Sequence, residues 1–256
     1  MKRIAIVTGA SAGLGTEFAL QIDKRMDLDE IWLVARRIDR LEELAAQLQH
    51  SRGVPVRADL GAPGGAETIR DLLAAEQPQL VLLVNNAGFG QYGRFEQVER
   101  EQHLAMIDLN CRALTALTYD ALPYARPGSS VIQVSSLAGY VSIANHAVYA
   151  ASKAYVLTLA VALAAELEEH DVRVLSVCPG PVATEFAQVA SKGKRRKMRG
   201  SQSAERVVRC ALDDLERKRW ISLTTLSWKL TALATRVLTR KFLARYTNKK
   251  RRESKE

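Results

Sequence analysis

The sequence predicts an α/β protein with a doubly wound parallel sheet, and three observations lead to that fold class. Short runs of β-branched and apolar residues alternate along the chain with stretches of helical period. The short runs are apolar on both faces, as strands are when helices cover both sides of a parallel sheet. The length of 256 residues, without a linker or an internal repeat, fits one domain with right-handed crossovers.

Six strands are predicted directly from these runs, and helices lie between and after them. The strands are predicted at 4–7, 31–34, 54–56, 80–84, 131–134 and 172–177. The helices are predicted at about 14–25, 38–49, 65–76, 100–122 and 148–170. Pro78 and Pro123 are expected to end helices, and Pro127-Gly128 to form a turn before a strand. Ser203 is expected to cap a helix that starts near Ala204.

Composition excludes several classes of protein. The hydrophobic fraction of 47% and the charged fraction of 25% are typical of a globular protein. No apolar run reaches the length of a bilayer span, and the N-terminus enters the first strand without a cleavage-type segment. Three scattered cysteines and four histidines without ligand spacing predict no disulfide framework and no metal site. We therefore expect a cytoplasmic protein.

The net charge of +9 is regional, because much of it lies in residues 192–199 and in the last twenty or so residues. The remainder is close to neutral. Nucleic-acid binding is not expected, since no interleaved aromatic residues and no recognition helix accompany the basic segments.

A glycine-rich turn follows the first predicted strand and precedes a helix. The free backbone N–H groups of a helix N-terminus bind phosphate where small residues allow close approach. The spacing is G-x-x-x-G-x-G, which differs from the usual dinucleotide fingerprint. The candidate phosphate-binding residues of this turn are Gly9, Ser11, Gly13, Leu14 and Gly15.

The end of the second strand indicates which cofactor binds. A ribose 2′-hydroxyl is usually held by a carboxylate there, and a 2′-phosphate by a cation. The chain has Arg36 and Arg37 at this point and no carboxylate before Asp39. NADP(H) is therefore the preferred cofactor and NAD(H) the second, although two solvated arginines would give the same pattern. Asp59, followed by Leu60, is a candidate for the adenine end or an ordinary surface aspartate.

Three side chains suit the reduction of a ketone or the oxidation of an alcohol. Tyr149 and Lys153 lie four residues apart on one helix face, so the ammonium is expected to lower the pKa of the phenol. Ser136, at the end of a buried strand, would orient the substrate oxygen. Asn110 in the preceding helix would anchor a water that links Lys153 to solvent.

These motifs together resemble the short-chain dehydrogenase/reductase family over about residues 3–220. The matching residues, in the family's order, are Thr8-Gly9-x-x-x-Gly13-x-Gly15, Asn85-Asn86-Ala87-Gly88, Asn110, Ser136, Tyr149-x-x-x-Lys153, Pro179-Gly180 and Thr184. The resemblance implies a Rossmann-type sheet of about seven strands and a Ser–Tyr–Lys site assisted by Asn110. It implies that Asn86, Ala87 and Gly88 line the adenosine and ribose side. It also implies that Pro179, Gly180, Val182 and Thr184 meet the nicotinamide, and that the helices around 100–122 and 148–170 join a homodimer or homotetramer.

Residues near these motifs are candidates for a substrate pocket. The apolar and aromatic candidates are Phe89, Tyr92, Leu137, Tyr140, Ile143, His146 and Phe186. They predict an apolar substrate with one reacting oxygen, and His146 is expected to be a polar wall or surface residue. By resemblance, 181–203 covers the substrate. Its basic part, 191–200, is either a mobile lid that recruits an acidic substrate or a solvated loop.

The C-terminal part differs from the domain predicted for residues 1–222. One apolar helix face is predicted in the segment 223–247, and its members are Leu226, Leu230, Leu233, Ala234, Val237 and Leu238. This helix would pack on its own domain, form a subunit interface, or contact an anionic membrane as a peripheral protein. The charged tail, 248–256, is predicted to be disordered.

The sequence therefore predicts an NADP(H)-dependent oxidoreductase that interconverts a secondary alcohol and a carbonyl, with Tyr149 as general acid and base. A hydroxysteroid or 3-oxoacyl reductase is a narrower alternative. An epimerase or dehydratase is disfavoured by the short length. A nucleotide sensor without catalysis is disfavoured by the complete set of Asn110, Ser136, Tyr149 and Lys153.

Overall fold

A seven-stranded parallel sheet forms the centre of the protein in a computed structural model that describes residues 1–186, 190, 193 and 200–253, with side chains up to Lys249. The strands are β1 (Arg3–Thr8), β2 (Glu30–Ala35), β3 (Arg52–Arg57), β4 (Gln79–Asn85), β5 (Ala125–Val134), β6 (Arg173–Val177) and β7 (Ile221–Ser222). Their order is β3-β2-β1-β4-β5-β6-β7, and all six pairings are parallel. The order reverses between β1 and β4, which confirms the doubly wound sheet and makes its carboxyl edge there a place for ligands.

Helices cover both faces of the sheet. They are α1 (Leu14–Arg25), α2 (Ile38–Ala45), α3 (Glu67–Glu76), α4 (Arg100–Ile107), α5 (Leu114–Ala121), α6 (Ala147–Glu166), α7 (Ala204–Glu216), α8 (Leu226–Val237) and α9 (Arg240–Glu253). Phe18 of α1 and Leu212 of α7 pack against Val7 in one core cluster. Ile69 of α3 and Ala160 of α6 belong to the other cluster, with alternate residues of the same strands. This is why the strands are apolar on both faces.

The end of α3 and the start of α7 lie where the sequence predicted them. Gln77 adopts a left-handed conformation after α3, with φ of 44°, and Pro78 keeps the helix from continuing. The Ser203 hydroxyl accepts a hydrogen bond of 3.3 Å from the backbone N–H of Arg206, so the predicted N-cap of α7 is confirmed.

The helix predicted at 100–122 is interrupted. A π-helical turn, Asp108–Ala113, separates α4 from α5, and it turns Asn110 into the protein interior. Single π turns inside α-helices often occur at functional sites. The predicted turn at Pro127-Gly128 lies inside β5, where the register to β4 shifts after Leu80.

Among the residues that the structure describes, one helix, α6, is long and apolar enough to cross a membrane by length and composition, contrary to the sequence expectation. Its buried residues include Val156, Ala160 and Ala164, and α6 packs against β6. Core helices of other proteins can have this length and composition as well.

The C-terminal segment forms two helices where one was predicted. α8 ends at Val237 and α9 begins at Arg240, so the helix is interrupted at Leu238. α9 continues to Glu253, although disorder was predicted for 248–256. Residues 254–256 lie outside the described part.

Of the predicted apolar face, Leu226, Leu230, Leu233 and Val237 are exposed, while Ala234 and Leu238 line a cleft at the carboxyl edge of the sheet. Trp228 and Ala232 pack on the domain, because the small Gly180 leaves room for the indole ring of Trp228.

We expect Gly180→Ala to displace α8, because a Cβ atom at this position would collide with the Trp228 ring. Overpacking of this kind costs about 1–3 kcal/mol. Urea unfolding and limited proteolysis near residue 238 would measure the effect.

The double variant Gly180→Ala/Trp228→Ala should recover part of that loss relative to the sum of the single variants. Gly61→Ala is the control, because its Cβ would meet Leu109 at an ordinary 3.6 Å. Additive effects of the two single variants would contradict the predicted contact.

Candidate active site

A cleft of about 710 Å³ lies at the carboxyl edge of the sheet, where β1, β4, β5 and β6 end. Backbone turns that follow these strands form its floor, and residues of α6, α8 and α9 contribute to its walls. The cleft therefore spans the distance from the glycine-rich turn to the predicted catalytic side chains.

The glycine-rich turn is held by hydrogen bonds between β1 and β4. The hydroxyl of Thr8 accepts the backbone N–H groups of Asn86 at 2.9 Å and of Ala87 at 3.0 Å. Gly13 precedes α1 with φ of 61°, a conformation that side chains disfavour. The first backbone N–H groups of α1 thus meet the cleft with a positive helix end.

A cluster of charged residues lies at the end of the cleft next to β2. The guanidinium of Arg37 donates to the Ser11 hydroxyl at 3.2 Å and pairs with Glu185 at 3.2 Å. Arg40, in the first turn of α2, pairs with the same carboxylate at 2.8 Å. The hydrogen bond from Arg40 lowers the pKa of Glu185, and Arg37 adds to this effect. Arg36 lies 3.8 Å from Asp59.

The phenol of Tyr149, the amine of Lys153 and the hydroxyl of Ser136 meet in the cleft. The ring of Tyr149 and the chain of Lys153 are both buried, and Nζ lies 5.9 Å from the ring centroid. Lys153 Nζ donates to the carbonyl of Val134 at 2.8 Å, where β5 ends. Ser136 Oγ accepts the backbone N–H of Ala138 at 3.1 Å, donates to the carbonyl of Pro179 at 3.4 Å, and lies close enough to the phenol to influence its pKa.

Burial dominates the titration of both groups. Removal from water raises the pKa of Tyr149, and the Ser136 hydrogen bond offsets only part of this rise. The same burial lowers the pKa of Lys153 from 10.5 to about 8. Burial therefore outweighs the effect expected of the ammonium, and the net pKa of the phenol is raised where the sequence predicted that it would be lowered.

Asn110 is buried and fully engaged behind this group. Its Nδ2 donates to the carbonyl of Phe89 at 2.9 Å and to the hydroxyl of Ser152 at 3.0 Å. Its Oδ1 accepts the backbone N–H of Phe89 at 3.0 Å. The side chain thus fixes the loop after β4 to α6, and it does not line the cleft.

Aromatic rings form one wall of the cleft. His146 stacks on Tyr92 at 4.2 Å between ring centroids, and its ring lies 4.3 Å from that of Tyr149. Phe186 lies 5.5 Å from Tyr149 on another side. Nδ1 of His146 lies 2.8 Å from the carbonyl of Gln91, so this nitrogen carries the proton and donates. His146 is a buried wall residue.

The structure brings most predicted site residues into this cleft. The predicted cofactor residues that line it are Gly9, Ser11, Gly13, Leu14, Arg36, Arg37, Asn86, Ala87, Gly88, Tyr149, Lys153, Pro179, Gly180, Val182 and Thr184. The predicted substrate residues that line it are Phe89, Tyr92, Ser136, Leu137, Ile143, His146 and Phe186.

Four further predicted residues do not line the cleft. Gly15 is buried within α1, Leu60 is buried after β3, and Asp59 contacts the cleft residue Arg36 without lining the cleft itself. Tyr140 is half-buried next to Cys178 and does not line the cleft either. The residues 187–189, 191–192 and 194–199 lie outside the described part of the chain, and with them most of the basic segment.

The sequence did not indicate several residues of the site. Arg40 could have been found, because it lies three residues after Arg37 on one helix face. Glu185 had no signal, since only the fold brings it to α2. The sequence also gave no signal that the C-terminal segment contributes to the cleft wall. Its wall residues, in α8, α9 and at Leu238 between them, are Thr231, Ala234, Thr235, Leu238, Leu243, Tyr246 and Thr247.

The lowered pKa of Lys153 predicts a pH-dependent stability. The folded protein releases a proton near pH 8 that the unfolded chain keeps up to about 10.5. The free energy of unfolding, relative to Lys153→Met, should therefore rise between these values by up to about 3 kcal/mol. Urea unfolding across this range measures the difference.

Lys24→Met is the matched control, because Lys24 is exposed at the end of α1. A difference from Lys153→Met that stays flat or falls with rising pH would contradict the assigned burial of the amine.

Comparisons with known proteins agree with this geometry. The family model of short chain dehydrogenases matches residues 3–195. An uncharacterised oxidoreductase of Staphylococcus epidermidis is 30% identical over 209 residues, which cover 81% of this chain and 90% of that protein. The NADP-dependent 3-hydroxy acid dehydrogenase of Schizosaccharomyces pombe is 29% identical, with 75% and 76% covered. A short-chain dehydrogenase from Sphingobium yanoikuyae in complex with NADPH has a TM-score of 0.80 at 28% identity, with 91% and 92% covered. The chain belongs to the short-chain dehydrogenase/reductase family of oxidoreductases.

Proposed function

We propose that this protein is an NADP(H)-dependent oxidoreductase that interconverts a secondary alcohol and a carbonyl on a largely apolar substrate. One observation carries the proposal. A phenol, an amine and a hydroxyl converge in a cleft whose other end is a glycine-rich helix N-terminus.

The residues present fit a nicotinamide dinucleotide. Backbone N–H groups at the start of α1, beside Gly13, would hold the diphosphate. Asn86, Ala87 and Gly88 would line the adenosine and ribose side, and Pro179 the nicotinamide end. When bound, the nicotinamide donates or accepts the hydride at its ring carbon 4.

Each catalytic side chain has a distinct proposed role. Ser136 hydrogen-bonds the substrate carbonyl oxygen and orients it. Tyr149 donates its phenolic proton to that oxygen as the alcohol forms, and takes a proton back in the opposite direction. The phenol of Tyr149 is protonated near neutral pH, as the donor role requires. Lys153 holds a positive charge near the phenol and supports its anion.

The charged residues around α2 favour NADP(H) over NAD(H). Arg36 and Arg37 line the cleft after β2, Arg37 donates to the Ser11 hydroxyl, and Arg40 shares Glu185 with Arg37, so these cations could hold a 2′-phosphate. The NADP dependence of the Schizosaccharomyces pombe relative and the NADPH bound to the Sphingobium yanoikuyae structure support this preference. NAD(H) is the second cofactor we propose. Glu185 would have to give up its pairs with Arg37 and Arg40 when the phosphate binds.

The walls of the cleft favour an apolar substrate body. Phe89, Tyr92, Ile143 and Phe186 surround the site of Tyr149 with apolar surface. Such walls exclude water and strengthen the electrostatic interactions inside.

A homo-oligomer in the cytoplasm fits the remaining surface. Ile107, Tyr119 and Tyr155 are exposed on α4–α6, where family resemblance places a subunit contact. The free thiols of Cys111, Cys178 and Cys210 fit a reducing compartment. We propose a homodimer or homotetramer on these grounds.

Tyr149→Phe should reduce turnover of a ketone panel by a factor of about 10² to 10⁴, because it removes the proton donor. NADPH affinity, measured by fluorescence titration, should change little. Tyr155→Phe is the matched control, since Tyr155 lies on the same helix and bonds Thr115 outside the cleft. Full turnover in Tyr149→Phe would refute the proposed reaction.

Arg36→Asp/Arg37→Asp should weaken NADPH binding about 10- to 100-fold while NADH binding changes little, because only NADPH carries the 2′-phosphate. Glu185→Gln should tighten NADPH binding, since the competing carboxylate charge is lost. Calorimetric titration with both nucleotides measures these effects, and Arg100→Asp on the exposed side of α4 is the control. Equal changes for NADPH and NADH would contradict the assigned phosphate site.

A further inference from the structure

α8 and α9 both carry exposed apolar and exposed cationic side chains, which together are here called the C-terminal face. Its apolar side chains are all exposed, and they are Leu226, Leu230, Leu233, Val237, Phe242 and Tyr246. Its cationic side chains are also exposed, and they are Lys229, Arg236, Arg240, Lys241, Arg245 and Lys249.

The leucine stripe of α8 points directly away from the protein. Leu226, Leu230, Leu233 and Val237 recur at intervals of four, three and four residues, which places them on one side of the helix. They are 73%, 56%, 58% and 82% exposed. The opposite side of α8 packs on the domain, as the burial of Ala232 shows. Single exposed leucines are ordinary, but a contiguous apolar stripe marks an interaction site.

The charge of this face decides which partner fits. Between residues 226 and 249 the sequence contains no aspartate or glutamate. A second copy of the same face would bring like charges together, which disfavours self-association there. A nucleic acid would neutralise the cations but would leave the leucine stripe in water. An anionic membrane can bind both the cationic and the apolar side chains, because lipid phosphates pair with the cations and the membrane interface buries the apolar groups.

We propose that the C-terminal face docks on an anionic lipid bilayer, with α8 lying in the plane of the interface. The 12 residues of α8 form a helix of about 18 Å, which is too short to span the hydrocarbon core. Phe242 and Tyr246 add two exposed aromatic rings on α9, with centroids 6.3 Å apart. Aromatic rings of this kind favour the headgroup level of a bilayer.

The C-terminal face and the cleft lie on opposite sides of α8. Ala234 and Leu238 at the end of α8 and Leu243 of α9 line the cleft, while the leucine stripe lies on the outer side. An apolar compound dissolved in the bilayer would therefore be delivered next to the cleft. Docking itself does not depend on the proposed reaction, so its test uses no turnover measurement.

Vesicle flotation of the full-length protein tests the proposal. The protein should float with vesicles of phosphatidylcholine and phosphatidylglycerol at low salt. It should float much less with phosphatidylcholine alone or at high salt. The triple variant Leu230→Ser/Leu233→Ser/Val237→Ser should lose at least about tenfold in apparent lipid affinity. Lys229→Glu/Arg236→Glu should lose affinity for the anionic vesicles as well.

Two controls separate docking from general surface effects. Phe95→Ser removes an apolar side chain that is 65% exposed elsewhere, and Arg100→Glu reverses an exposed cation on α4. Both should float like the unchanged protein, and circular dichroism should show that all variants are folded.

Absence of flotation with anionic vesicles would overturn the proposal, as would equal flotation of the triple variant. It would also be overturned if analytical ultracentrifugation showed that the triple variant dissociates an oligomer while vesicle binding is absent. Binding of duplex nucleic acid without binding of vesicles would have the same consequence.

Discussion

The burial of the Lys153 amine beside the Tyr149 ring is the constraint on which the site depends. A charged amine loses hydration in such a place, and the hydrogen bond to the Val134 carbonyl replaces only part of it. The amine is tolerated because it lies where β5 ends, so that a free strand carbonyl is available. The pKa of Lys153 near 8 is the cost of that position. It leaves the lysine able to change charge within a range of pH that enzymes use.

Two groups of hydrogen bonds hold the surroundings of this amine in place. The π turn after α4 brings Asn110 inward, where it ties Phe89 and Ser152 together. Thr8 fixes the loop after β4 to the end of β1. Asn110 thus links the loop after β4 to α6, the helix that carries Tyr149, and Thr8 links the same loop to β1. Rigid positioning of this kind is what hydride and proton transfer require.

The C-terminal helices have one side on the cleft and another side exposed to solvent. Their inner side closes the cleft, with Trp228 seated on Gly180 at the nicotinamide end that we propose. Their outer side carries leucines and cations. The same short segment would therefore link the substrate cleft to the surface on which an apolar substrate would be found. An amphipathic pattern alone did not show which side faces the protein, because both sides contain apolar residues.

Three features could be predicted from the sequence by itself. They are strands that are apolar on both faces, a glycine-rich turn after β1, and a catalytic group of Ser136, Tyr149 and Lys153 near the edge where the parallel strands end. These are local patterns, and local patterns survive folding because backbone geometry and side-chain period act over a few residues. Tertiary structure alone decided three things, namely the pairing of Glu185 with Arg37 and Arg40, the walls supplied by α8 and α9, and the direction of the pKa of Tyr149. Each depends on how far a group is removed from water and on partners distant in the chain, which no short stretch of sequence records.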